Sequence, residues 1–95
     1  MVIGICHLDF ILHENSSLKG KRRVLKRIFN RVREKFNVSI AEVGDNDKWK
    51  RSQVGFCIVG NEKSHVNSSL DKVMNFIDDL NLVEILDSEI EILDY

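Results

Sequence analysis

Apolar residues in this chain recur at two different periods, and the order of those periods leaves few folds open. Residues 2–12 (VIGICHLDFIL) are apolar with polar residues on alternate positions near the end, the pattern of a strand. From Leu18 the period lengthens, and Leu25, Ile28, Phe29, Val32 and Phe36 fall on one helical stripe surrounded by arginine and lysine. The polar connector between them supplies a helix N-cap at Ser16 or Ser17. Residues 38–44 (VSIAEVG) and 53–59 (QVGFCIV) return to strand character, separated by the turn cluster 45–48. Gly60-Asn61 ends that strand and offers the next N-cap. Val66, Leu70, Val73, Met74, Ile77 and Leu80 then form a second helical stripe, and residues 83–95 close the chain as an acid-rich edge strand.

The resulting order, β-α-β-β-α-β, predicts an α+β, ferredoxin-like fold. Right-handed crossovers place both helices on one face of a four-stranded antiparallel sheet. Ninety-five residues suffice for one domain, 1–95, with a real core and no disulfide or metal staples. The other sheet face has no helix to cover it, yet the first strand is apolar on both alternations. Val2, Cys6, Leu8 and Phe10 lie on one, Ile3, Ile5 and Ile11 on the other. Strand three likewise sets Val54, Phe56 and Ile58 opposite Cys57 and Val59. An open face of that character points to a homodimer, the alternative being partial cover by long side chains and the termini.

The net charge of −1 conceals a strong segregation. Residues 16–37 hold nine basic residues and one acid, whereas residues 38–95 hold five basic and twelve acidic. On the first helix Lys19, Arg22, Arg23, Lys26 and Arg33 cluster away from the apolar stripe, and Arg27 and Arg31 extend the cluster. Such a face suits a phosphate backbone, so Lys19, Arg22, Arg23, Lys26, Arg27 and Arg33 are the candidate nucleic-acid contacts. The competing expectation is a solvated face paired with acids of this chain or of an acidic protein partner.

Lys21 stands apart from that face. It projects near the apolar stripe at the end of the sheet where Glu42 also lies, so a Lys21–Glu42 ion pair fixing helix to sheet is expected. Ser17 and Lys21 flank a helix N-terminus that favours anions, although Gly20 alone makes no phosphate loop. Trp49, beside Lys48, Lys50 and Arg51, stacks a base, anchors a partner or packs over the end of the core.

Other chemistry is weakly represented. His7 and Asp9 share a strand face but lack a third group, and His13 and His65 are isolated. Cys6 and Cys57 lie in apolar runs without metal-ligand spacing, so both read as small buried hydrophobes in a reducing cytoplasm. No catalytic residue, metal or cofactor is expected. No apolar run reaches the length of a membrane span, and the N-terminus has no basic region of the kind that opens a signal peptide. RNA-recognition motifs share the topology, but Cys6 and His7 stand where the first strand would carry a stacking aromatic.

Three segments carry a family resemblance: Ser17-Leu18-Lys19-Gly20-Lys21-Arg22, Phe36-Asn37-Val38-Ser39-Ile40-Ala41-Glu42-Val43 and Asp47-Lys48-Trp49. Together they resemble the YlxP-like family, a bacterial domain of unknown function. The resemblance spans nearly the whole chain and implies a small ferredoxin-like domain in the bacterial cytoplasm. It also implies genes near those of translation initiation and ribosome maturation, which points to RNA or the ribosome as a partner. The chain departs from the family at His13, where members often have proline, and at Lys50-Arg51-Ser52, where they often have Gln-Arg-Ala. The combined expectation is a non-enzymatic accessory protein that binds RNA or a ribonucleoprotein through its first helix. Its alternative is a homodimeric protein-interaction module.

Overall fold

Strand alternation and helical stripes resolve into six elements in the computed structural model, which describes residues 1–95. They are β1 (Val2–Ile11), α1 (Leu18–Lys35), β2 (Ser39–Gly44), β3 (Arg51–Gly60), α2 (Lys63–Asp79) and β4 (Glu84–Asp94). The strands form one sheet in the order β2-β3-β1-β4, every neighbouring pair antiparallel. This is the ferredoxin-like α+β architecture.

The alternation in β1 decides which face is buried. Cys6, Leu8 and Phe10 are fully inaccessible, and they join Val54 and Phe56 of β3 beneath both helices. Leu25, Ile28 and Val32 descend from α1, and Leu70, Val73 and Ile77 from α2, into the same cluster. Burying each such aliphatic side chain is worth about 1.5–3 kcal/mol, so these stripes hold the helices to the sheet.

Two glycines let α2 approach closely. A Cβ on Gly4 would lie 2.5 Å from Val66 Cγ1, and one on Gly60 would lie 2.7 Å from Val66 Cγ2. Val2 is the Cα partner of Gly60, so the two bare positions form one seat for Val66 across adjacent strands.

Helix ends follow local chemistry. Ser17 caps α1, its Oγ accepting from Gly20 N at 3.0 Å. The expected cap at Asn61 is displaced: Glu62 occupies the N-cap of α2 and makes no side-chain capping bond. At the far end of α2, Asn81 takes a left-handed conformation, φ 54°, which asparagine tolerates just beyond a helix.

The open face is mixed rather than uniformly apolar. Val59, Ile3 and Leu93 form an apolar row across three strands, and Ile5 pairs with Cys57 beside it. Further along, His7 faces Glu89, and Asp9 faces Asp87. Cys57 belongs to this face and is only half-buried, so the expectation that both cysteines are core residues holds for Cys6 alone. Burial, and then the negative charge of Asp71, push the Cys6 thiol up to about 11. No helix is long and apolar enough to cross a membrane.

Candidate nucleic-acid interface

α1 carries a single acid, Glu34, near its C-terminal end among many exposed cations. Lys19, Arg22, Arg23, Lys26, Arg27 and Arg31 are all exposed, opposite the buried Lys21, Leu25, Ile28 and Val32. The molecule has three ion pairs, His13–Glu84, Lys21–Glu42 and Lys48–Asp45, and none uses an exposed cation of α1. Topology keeps the five acids of β4 away, because α1 packs on β2 and α2 whereas β4 lies on the opposite edge of the sheet.

The helix carries an internal cost for this arrangement. Lys19/Arg23, Arg22/Lys26, Arg23/Arg27 and Arg27/Arg31 are like charges four residues apart, each destabilising by about 0.2–0.5 kcal/mol. No acid occupies the first turn, where the macrodipole would favour one.

Arg33 is placed differently from its five candidate companions. Its guanidinium donates to the Ile40 carbonyl at 2.9 Å and lies 5.7 Å from the centre of the Phe29 ring. It fastens the end of α1 to β2. Arg31, on the exposed face, takes its place as the sixth free cation. Lys35 is likewise drawn to aromatic surface, 4.8 Å from the Phe76 ring centre.

Lys21 is completely buried and belongs to the hairpin rather than to solvent. Its Nζ lies 2.9 Å from Glu42 Oε2 and donates to the carbonyls of Asp45 (2.7 Å), Asn46 (3.2 Å) and Arg51 (3.2 Å). Glu42 is held in turn by Ser52 Oγ at 2.6 Å and Asn46 Nδ2 at 3.4 Å. With every polar atom partnered, the group is a clamp that closes the β2–β3 turn against α1. Asp45, at φ 55°, supplies the bend. The Lys48 side chain bonded to Asp45 holds its carboxyl below the usual range against an opposing desolvation, and Gln53 and the Lys48 and Arg51 charges add to the lowering.

The clamp reaches Trp49 through the backbone. Asn15 Nδ2 donates to both Ser17 O (2.7 Å) and Trp49 O (2.6 Å), tying the turn to the start of α1. Leu12 N donates to Lys50 O at 2.9 Å on the next residue. Gly20 is required here, because a Cβ would collide with Asn15 Oδ1. Trp49 itself remains 55% exposed and is not part of the core cluster. Asn15 was hidden in the sequence as one polar residue of a connector; its offset from Ser17 was the only available signal.

His7 meets Gln53 Oε1 at 3.1 Å on the open face, and Gln53 Nε2 continues to Asp45 Oδ2 at 3.3 Å. His13 contacts exposed Glu84 at 2.7 Å. No group of three or more His, Cys, Asp or Glu residues has metal-binding geometry.

The fold thus joins a basic helix face to a buried Lys21–Glu42 clamp in one small domain. The family model described as "Protein of unknown function (DUF503)" matches residues 3–90, and the chain belongs to that family. A Bacillus subtilis (strain 168) relative, "Uncharacterized protein YlxP", is 41% identical over 83 residues, covering 87% of this chain and 90% of its own. Among solved structures, "De novo designed protein Foldit4" is similar with a TM-score of 0.55 at 16% identity, covering 100% of this chain and 99% of its own. That likeness concerns the fold alone.

Proposed function

We propose that this protein is a non-enzymatic accessory factor that binds RNA or a ribonucleoprotein through α1, in the cytoplasm and in a translation or ribosome-maturation setting. The observation that carries the reading is the row of exposed cations on α1, which repel one another and form no ion pair. A phosphate backbone relieves that repulsion and fits the uninterrupted positive face. Lys19, Arg22, Arg23, Lys26, Arg27 and Arg31 contact phosphate; Ser17, Lys21 and Glu42 keep the adjoining end of the sheet in shape.

The test is salt-titrated binding to single-stranded RNA. Six phosphate contacts give a slope of log K on log salt of about −4. Replacing Arg22, Arg23 and Lys26 by alanine flattens that slope and weakens binding. Absence of binding at about 50 mM salt, or equal binding by the triple variant, removes the RNA reading. A polyglutamate peptide that binds more tightly than RNA assigns the helix to an acidic protein partner instead.

The open sheet face supports a second, compatible reading, a homodimer. Its supporting observation is the solvent-facing apolar row Val59–Ile3–Leu93. Sedimentation at micromolar concentration tests it: a monomer excludes the dimer, and Val59→Lys dissociates one that exists.

A further inference from the structure

Trp49 is an exposed aromatic on a backbone that cannot easily move. Asn15 holds its carbonyl at 2.6 Å, Leu12 holds that of Lys50, and Lys21 holds those of Asp45, Asn46 and Arg51. A loose turn would expose a tryptophan by default, but this one is tied to the β1–α1 connector and to α1, and Trp49 is still 55% exposed. The same Asn15 amide places Trp49 beside Ser17, where the cationic face of α1 begins. Lys50 and Arg51 on the same segment are exposed and make no ion pair, whereas Lys48 is committed to Asp45.

An exposed tryptophan whose backbone is pinned beside the start of a track of free cations has the two components that single-stranded nucleic acid uses. Bases stack on the ring and the backbone follows the charge. A duplex offers the same phosphates but keeps its bases stacked inside, out of reach of a side chain at the surface. We infer that Trp49 stacks an unpaired base of the nucleic acid bound along α1, and so makes the protein selective for single-stranded over duplex RNA. The inference rests on the reading of α1 as the phosphate-binding face and adds strandedness to it.

Trp49 is the only tryptophan in the chain, so its fluorescence reports the contact directly. A twelve-nucleotide single-stranded RNA is expected to quench it, while the same sequence annealed into a duplex binds more weakly and leaves it unquenched. Trp49→Ala lowers single-strand affinity by about 5- to 150-fold, the worth of one stacked base, with duplex binding and the salt slope unchanged. Trp49→Phe restores most of the loss. Single-strand and duplex RNA binding equally well with silent fluorescence overturns the inference, as does full affinity in Trp49→Ala. In either case the α1 reading survives if the Arg22, Arg23 and Lys26 variant still loses binding. Absence of binding by both RNAs at about 50 mM salt overturns the two together.

Discussion

Replacing Lys21 by methionine keeps the aliphatic stem in the core and deletes only the ammonium. The consequences can be followed oxygen by oxygen. Three Nζ protons are shared among four acceptors: one Glu42 carboxylate oxygen and three backbone carbonyls. Without them Glu42 keeps only Ser52 and Asn46, with its side chain 17% exposed, and the carbonyls of the turn lose their donor. Removing one partner of a buried pair costs about 3–5 kcal/mol. A domain of this size has about 5–15 kcal/mol in total, so the loss is a large part of its stability. At about 4–8 °C per kcal/mol, the melting temperature falls on the order of 20 °C. Glu42→Gln should cost less, because Lys21 keeps its three carbonyl acceptors. Urea unfolding of the two single variants and the double variant measures both costs and their coupling. A Lys21→Met protein within about 1 kcal/mol of the parent would refute the clamp and reopen Lys21 as a ligand-binding lysine.

The two thiols should differ sharply in reactivity. At pH 8 a disulfide reagent modifies half-buried Cys57 in the folded protein, and Cys6 reacts only after denaturation; rapid native modification of both would contradict the burial. Since the folded Cys6 thiol is raised from 9.0 to about 11, its stabilising effect is complete below the unfolded value and fades as pH rises toward 11. Cys6→Ala should lessen that alkaline loss in a stability-versus-pH series. Asp45 acts at the other limb: its carboxyl is lowered in the fold, so its contribution is present above about pH 4 and is lost as pH falls through the folded value. Asp45→Asn should therefore flatten the acid side of the same curve, and an unchanged acid limb would count against the Lys48–Asp45–Gln53 contacts.

The six elements were readable because each period change coincides with an element boundary and nothing in this chain overrides it. The Lys21–Glu42 meeting was readable too, since a lysine on an apolar helical stripe needs a charged partner where the topology ends. Its three carbonyl partners were not, because they depend on the left-handed turn at Asp45, which no hydrophobic pattern encodes. The capture of Arg33 by Ile40 was hidden for a related reason: a helical wheel assigns it to solvent, and only the return path of β2 brings an acceptor within reach. The seat for Val66 likewise needs the register that aligns Val2 with Gly60, a long-range fact. Charge segregation was visible in the sequence, but whether the acids shield the basic helix depended on strand order.

That strand order makes distance matter more than the sum of charges. The edge strands β2 and β4 lie three strand spacings apart, about 14 Å, whereas electrostatic influence in physiological salt decays over about 8 Å. A partner near α1 therefore meets a cationic body, and one near the β4 edge meets an anionic body. Neither senses the nearly balanced whole. In dilute buffer, where the decay length lengthens to about 30 Å, the two poles begin to act together and a strong field turns the molecule before it draws it in. Ionic strength thus selects whether encounters are governed by a face or by the orientation of a dipole.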